Sequence, residues 1–391
     1  MKKRNLIIYI SIILFFVMVL PIFGMDLIST KEDKEIQDEV NKFVDNNIEN
    51  ELTVEDLIEF VNKDIDIDLK FELPINGASG YASIKMNLKE NNSLDSKTIM
   101  DIDKGKAFTI ILEKNNWWYI NYNGKKGWIE NKFCMINLPD IIPSIIYNAS
   151  NSNKSLYTSS GYDLPNITGE KLYDVLMYNN RLEKNEFVMP VLYSMAKKIY
   201  EAQQFALKNG DSLKIYETYR PYEVQMKVAD SLRTLASSNK DVHDGINKVG
   251  WSESWFISQK LSDHQIGVAI DTTLVKVNSY KVRTMGKYKY IEITNYIEYE
   301  MPTNIHELSA KSAVFTKGVS SKDKTAWKNA SFAATITDGA IKLQQYCTNA
   351  DLIPLASEWW HFNDLNAKDI VKGRANGRYY LSGCASMKVT D

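Results

Sequence analysis

Residues 261–273 read LSDHQIGVAIDTT, and their spacing sets the problem that the rest of the fold must solve. His264 and Asp271 stand seven residues apart around Gly267, in an otherwise apolar run. The chain has four histidines, few enough for each to be weighed individually. A cation held by both side chains needs their ligand atoms within about 4 Å of each other, given bonds near 2 Å. A straight strand would separate the two positions by about 23 Å. A helix would put them on one face but about 10 Å apart along its axis. The chain must therefore turn back between them, and Gly267 can do this, being free to adopt positive φ or a bulge. VAID (268–271) then resumes as a strand, with Val268 and Ile270 on one face and Ala269 and Asp271 on the other. An aspartate on the small-residue face of an apolar strand is costly to bury unless it is paired or holds a metal.

A second element, SEWWHF (357–362), supplies Glu358 and His361 three residues apart. His264, Asp271 and His361 make three protein ligands and leave a fourth position open for water, the layout of a catalytic zinc site. Glu358 is then free to serve as general base. No HExxH stretch occurs, which excludes that zinc-protease signature. His243, in KDVHDGINK, sits in a charged, loop-like stretch and reads as surface.

The bulk numbers agree with a folded, multidomain protein. The 391 residues exceed what one ordinary core organises, and 44% hydrophobic with 25% charged residues is a globular composition. A net charge of −2 argues against a nucleic-acid partner. Cys134, Cys347 and Cys384 are odd in number and widely spaced, which suits neither a disulfide framework nor a cysteine zinc site. At the start, MKKRN precedes the charge-free run LIIYISIILFFVMVLPIFGM (6–25), long enough to span a bilayer. Basic residues before the span predict a single-pass anchor over 1–25 with everything beyond it outside the cytoplasm. A cleaved signal with secretion to the cell wall is the alternative. Residues 26–68 are charged and helix-periodic, and predict a stalk or linker.

Residues 105–138, GKAFTIILEKNNWWYINYNGKKGWIENKFCMINL, alternate β-branched and aromatic residues. Asn123-Gly124 between two strand-like runs is a hairpin signal, because that turn needs positive φ at both central positions. The order of glycine, strand, tryptophan, Asn-Gly hairpin and "GW" strand resembles a bacterial SH3 domain, a small all-β barrel, expected over 69–137. Such modules in exported proteins bind cell-wall peptides or pack on an adjacent catalytic domain. Trp117, Trp118 and Trp128 either fill its core or serve its surface. From residue 138 helices and strands mix, which predicts an α+β domain over 138–391. It includes a helical pattern over 187–210 ending at Gly210 and a strand over 213–217 that exits into Arg220-Pro221.

Together, SDHQIGVAID and SEWWHF resemble the S-x-H-x-x-G-x-A-x-D and E-x-W-H pair of the D-alanyl-D-alanine carboxypeptidase and dipeptidase zinc metallopeptidases. The Trp-Trp form and the GVAIDTTL continuation are more similar to the VanX-like dipeptidase branch than to the VanY-like branch. DIIPSIIYN, NITGEKLY, YETYRPYEVQ and MPTNIHELS resemble that branch in the same order, over about residues 138–365. The resemblance implies one zinc per chain on His264, Asp271 and His361, with Glu358 as base. It implies Arg220 as stabiliser of the oxyanion, and Ser262, Tyr219 and His306 on the substrate side. One departure stands out: where the dipeptidases carry an aspartate for the substrate ammonium, this chain has His306, expected at the site rim, with Glu307 beside it. The implied activity is hydrolysis of peptide bonds next to D-amino acids in peptidoglycan stem peptides. An L,D-endopeptidase or carboxypeptidase of the wall, and a non-catalytic wall-binding protein, are the alternatives.

Overall fold

The alternating runs of residues 79–137 form seven short strands in a computed structural model that describes Leu57, Ile58 and residues 71–389. The expected anchor over 1–25 and, apart from Leu57 and Ile58, the stalk over 26–68 lie outside these residues. No helix among the described residues is long and apolar enough to cross a membrane. The strands are β1 (Ser79–Ala82), β2 (Met86–Lys89), β3 (Thr98–Ile102), β4 (Ala107–Lys114), β5 (Trp117–Tyr122), β6 (Lys125–Glu130) and β7 (Cys134–Asn137). Between β5 and β6 the chain reverses through Asn123 (φ 50°) and Gly124 (φ 78°), both in the left-handed region that a two-residue hairpin turn demands. Trp118 is fully buried and meets the Tyr193 ring edge-on at 4.7 Å, while Trp117 and Trp128 remain partly exposed. Of the three tryptophans, Trp118 fills the core.

Next come β8 (Ile146–Tyr147), the hairpin β9 (Thr158–Ser159) with β10 (Tyr162–Asp163), and the hairpin β11 (Leu176–Asn179) with β12 (Lys184–Phe187). β13 (Pro190–Leu192) then returns to the first sheet and pairs with β7, Pro190 opposite Asn137. The sheet runs β13-β7-β1-β4-β5-β6-β2-β3, so it continues beyond residue 137. The helical pattern of 187–210 accordingly yields a helix over Tyr193–Leu207 alone. Pro190 lacks an N–H and holds Met189 extended, so this segment joins a sheet edge, where proline is tolerated. The C-terminal segment also reaches this sheet. Ser382 bridges to Lys106, Tyr81 Oη donates to the Gly383 carbonyl at 2.9 Å, and Met387 N donates to the Gly77 carbonyl at 2.7 Å.

The second sheet holds β14 (Asp211–Glu217), β15 (Ala269–Met285), β16 (Tyr288–Glu298), β17 (Ile353–Leu355) and β18 (Glu358–Asn363). Its order is β17-β18-β15-β14-β8, with β16 paired to β15. Leu213, Ile215, Ile270, Leu274 and Phe362 join one buried core with Ala196 and Ile199 of helix Tyr193–Leu207 and Leu343 of helix Asp338–Asn349. Alternation along β15 and β18 then turns Asp271 and His361 to the opposite face. These two helices thus take one side of the sheet, and the polar chemistry falls on the other.

Candidate metal centre

Three elements bring the polar face together. Ser262 caps a 3-10 turn over Asp263–Ile266: its side chain accepts from His264 N, and Gln265 reaches back to Ser262 N at 2.6 Å. The turn ends at Gly267 with φ 72°, and a Cβ there would stand 2.7 Å from Met135 Sδ. Glycine alone suits both the φ and the space. The chain then enters β15, where Asp271 lies directly opposite His361 of β18.

The three side chains converge closely. His264 Nε2 is 3.2 Å from His361 Nδ1, His361 Nδ1 is 3.0 Å from Asp271 Oδ1, and His264 Nε2 is 3.3 Å from Asp271 Oδ1. Bonds near 2 Å at tetrahedral angles place ligand atoms about 3.3 Å apart, so these atoms outline one face of a zinc tetrahedron. The far nitrogens are already committed. His264 Nδ1 donates to the Thr218 carbonyl at 2.7 Å, and His361 Nε2 lies 3.0 Å from Asn363 Oδ1. Such outer bonds fix tautomer and ring orientation, and leave the inward nitrogens their lone pairs. The donor set of two imidazoles and a carboxylate therefore fits zinc.

Glu358 precedes His361 by three residues, with Oε2 3.6 Å from His361 Nδ1. Burial pushes its carboxyl up to about 8, with His361 pulling the other way. Asp271 behaves oppositely. Burial raises it, but His264 and the hydrogen bonds from the surrounding imidazoles hold it well below the carboxylate range. On its outer side Asp271 Oδ2 faces the Arg220 guanidinium at 3.3 Å. Arg220 also binds Glu217 through Nε at 2.6 Å and Gln225 through a terminal nitrogen at 2.5 Å. These partners hold the guanidinium in the lining of a cavity of about 340 Å³ that is also lined by Ser262, His264, Asp271, Glu358 and His361.

Of the sequence-derived substrate residues, Ser262 and His306 line this cavity and Tyr219 lies elsewhere. Tyr219 does not line this cavity; it stacks on Tyr379 at 5.4 Å and donates its hydroxyl to the Tyr379 carbonyl. His306 is not at a rim but 1% exposed, with Nε2 3.3 Å from Asp271 Oδ2. Glu307 beside it is consumed by structure, accepting from Ser160 N, Gly161 N, Thr158 Oγ1 and Ser309 Oγ. Sequence reasoning passed over Glu217 and Tyr157. Glu217 is fully buried and accepts from Asn151 at 2.6 Å and Tyr173 at 2.9 Å as well as Arg220. Burial alone would raise its pKa, yet Arg220 and His264 pull it below the ordinary value. Tyr157 lies under the Arg220 guanidinium at 5.5 Å and stacks on His306. The available signal for Glu217 was a carboxylate ending an otherwise buried strand, three residues before Arg220; Tyr157 had none.

Comparison with known proteins identifies the first sheet. Residues 85–134 match the bacterial SH3 domain family. A Bacillus subtilis (strain 168) protein named "Putative N-acetylmuramoyl-L-alanine amidase YrvJ" is 31% identical over 85 residues, which make up 22% of this chain. The match spans 16% of that protein's length.

Proposed function

We propose that this chain is a zinc-dependent, extracytoplasmic hydrolase of the bacterial cell wall, cutting peptide bonds next to D-amino acids in peptidoglycan stem peptides, of the D,D-carboxypeptidase or dipeptidase type. The observation that carries this reading is the triangle of His264 Nε2, Asp271 Oδ1 and His361 Nδ1, with sides of 3.0–3.3 Å, beside a buried Glu358. Charge supports it as well. Glu217 and Asp271 flank one guanidinium and Glu358 lines the same cavity, and a divalent cation offsets the surplus negative charge that burial would otherwise penalise. The bacterial SH3 domain and the amidase-named relative favour a peptidoglycan substrate. With so little of that relative matched, its amidase activity is not carried over to this chain.

A bound zinc supplies Lewis-acid polarisation of water and of the scissile carbonyl. Glu358 takes a proton from the attacking water at its carboxylate and returns it to the departing amine. Its burial keeps the carboxyl from competing water and raises its basicity, both useful for a proton shuttle at neutral pH. Arg220, locked by Glu217 and Gln225, aims a fixed positive charge at the oxygen on which negative charge develops. Ser262 lines the same cavity, and its hydroxyl accepts from His264 N. The intact Glu358 and full ligand set weigh against a purely wall-binding role. Mass spectrometry of purified muropeptides before and after treatment with the full-length chain tests the reading. Loss of a terminal D-amino acid supports it; unchanged fragments, or release of the whole stem peptide from the lactyl group instead, would overturn it.

A further inference from the structure

The two oxygens of Asp271 have different neighbours. Oδ1 faces His264 and His361, whereas Oδ2 faces Arg220 and His306, each at 3.3 Å. His306 is an unusual residue at this place. Its φ of 63° lies in the left-handed region, sparsely populated by residues other than glycine. The ring is buried, stacked on Tyr157 at 4.6 Å with 20° between planes, and neither nitrogen makes a well-aligned hydrogen bond. A buried imidazole whose one polar neighbour is Asp271 Oδ2, at 3.3 Å, costs stability, and a backbone in a sparse region adds to that cost. Both are tolerated at functional sites more than elsewhere.

A second cation beside Glu217, Asp271 and His306 is a competing explanation, since their ligand atoms cluster within 4.8 Å. The Arg220 guanidinium already occupies the charge position between Glu217 and Asp271. A further divalent ion would meet that fixed positive charge at close range.

We infer that His306 is a positioning residue: its Nε2–H holds Asp271 Oδ2 outward, so that Asp271 offers Oδ1 alone to the metal. This rests on the zinc reading proposed above and adds to it a determinant of metal affinity on a strained loop outside the ligand set. Without the donor, the carboxylate is free to rotate toward two-oxygen binding or toward Arg220, and the preformed triangle loosens. Outer partners of ligating groups typically contribute about ten- to a hundredfold in metal affinity.

Two substitutions separate the donor from the stack. His306→Phe keeps a ring against Tyr157 and removes the donor; His306→Gln loses the stack and keeps an N–H at similar reach. Zinc affinity of the full-length chain is measured by competition with a chelator, and melting of the metal-free form reports folding. We expect His306→Phe to bind zinc about ten- to a hundredfold more weakly and His306→Gln to stay within a few fold of the unsubstituted chain. Equal affinity in His306→Phe, or equal losses in both variants, would overturn the inference while leaving the zinc reading standing. Two zinc ions per chain would also overturn it, making His306 a ligand. An unsubstituted chain that binds no zinc removes the zinc reading itself and the inference with it.

Discussion

Asp271 and His361 are direct cross-strand partners in β15 and β18, and the carboxylate oxygen of one stands 3.0 Å from the imidazole nitrogen of the other. Paired residues on one face of an antiparallel sheet come within about 5 Å at Cβ, close enough for both to reach one ion. Two of the three proposed ligands therefore need no loop to meet. The third, His264, is delivered by the turn at Gly267.

The first expectation concerns stoichiometry. The full-length chain should hold one zinc, and His264→Ala or His361→Ala should lose it. Elemental analysis of the dialysed proteins checks this, and full occupancy in His361→Ala would remove that residue from the ligand set.

Glu358 is assigned to proton transfer and not to ligation. Glu358→Ala should keep zinc while turnover on muropeptides falls by at least about a hundredfold. Parallel loss of metal and activity would make it a ligand instead.

The metal-free protein should respond to pH through Glu358. Its folded pKa of about 8 exceeds the ordinary 4.5, so between these values the folded chain keeps a proton that the unfolded chain has released. Stability then declines as pH rises from about 4.5 toward 8, through this group alone. A cation beside the carboxylate offsets that penalty. The rise in melting temperature on adding zinc should therefore be larger at pH 8 than at pH 6, and Glu358→Gln should narrow the difference.

Glu72 provides a contrast away from the site. Burial lifts its carboxyl to about 7, against hydrogen bonds from Ser144 and Gln204 that pull it down. Its contribution to stability likewise falls as pH rises from about 4.5 to 7. Zinc should leave it untouched. Melting curves of Glu72→Gln with zinc present should be flatter across that window than those of the unsubstituted chain.

Substrate length follows from His306 and Glu307. Where the resemblance expects an aspartate for a free ammonium there is an imidazole, and the neighbouring carboxylate is saturated by four donors. An ammonium losing its partner in a partly buried site is desolvated without compensation, whereas a peptide amide carries no such charge. Catalytic efficiency should be higher on pentapeptide stems than on free D-Ala-D-Ala. Side-by-side kinetics with inert stems and efficient dipeptide cleavage would reverse the assignment.

Local spacing carried much of this structure into the sequence. The positive φ at Gly267 and the Asn123-Gly124 hairpin were legible because each depends on a few adjacent residues. The return of β13 to β7 was not, because Pro190 sits 53 positions from Asn137 and nothing local distinguishes its run from the helix that follows. Glu217 escaped for a related reason: its importance lies in Asn151, Tyr173 and Arg220, partners that no periodicity brings together. The direction of the Tyr219 side chain was not legible either, because adjacency to Arg220 says nothing about which way a neighbouring side chain points. It reaches the C-terminal segment instead.

The sharing of one sheet by β13 and β1–β7 gives the SH3 domain a second property. A binding module on a flexible tether searches a sphere set by its linker. Here the polypeptide that follows the module returns to become its edge strand before running into helix Tyr193–Leu207. If the module seats a wall ligand, as the proposed function would have it, that ligand would be held at a set distance and angle from Asp271 and His361. The pair would work as a ruler, sampling one spacing along the polymer instead of many.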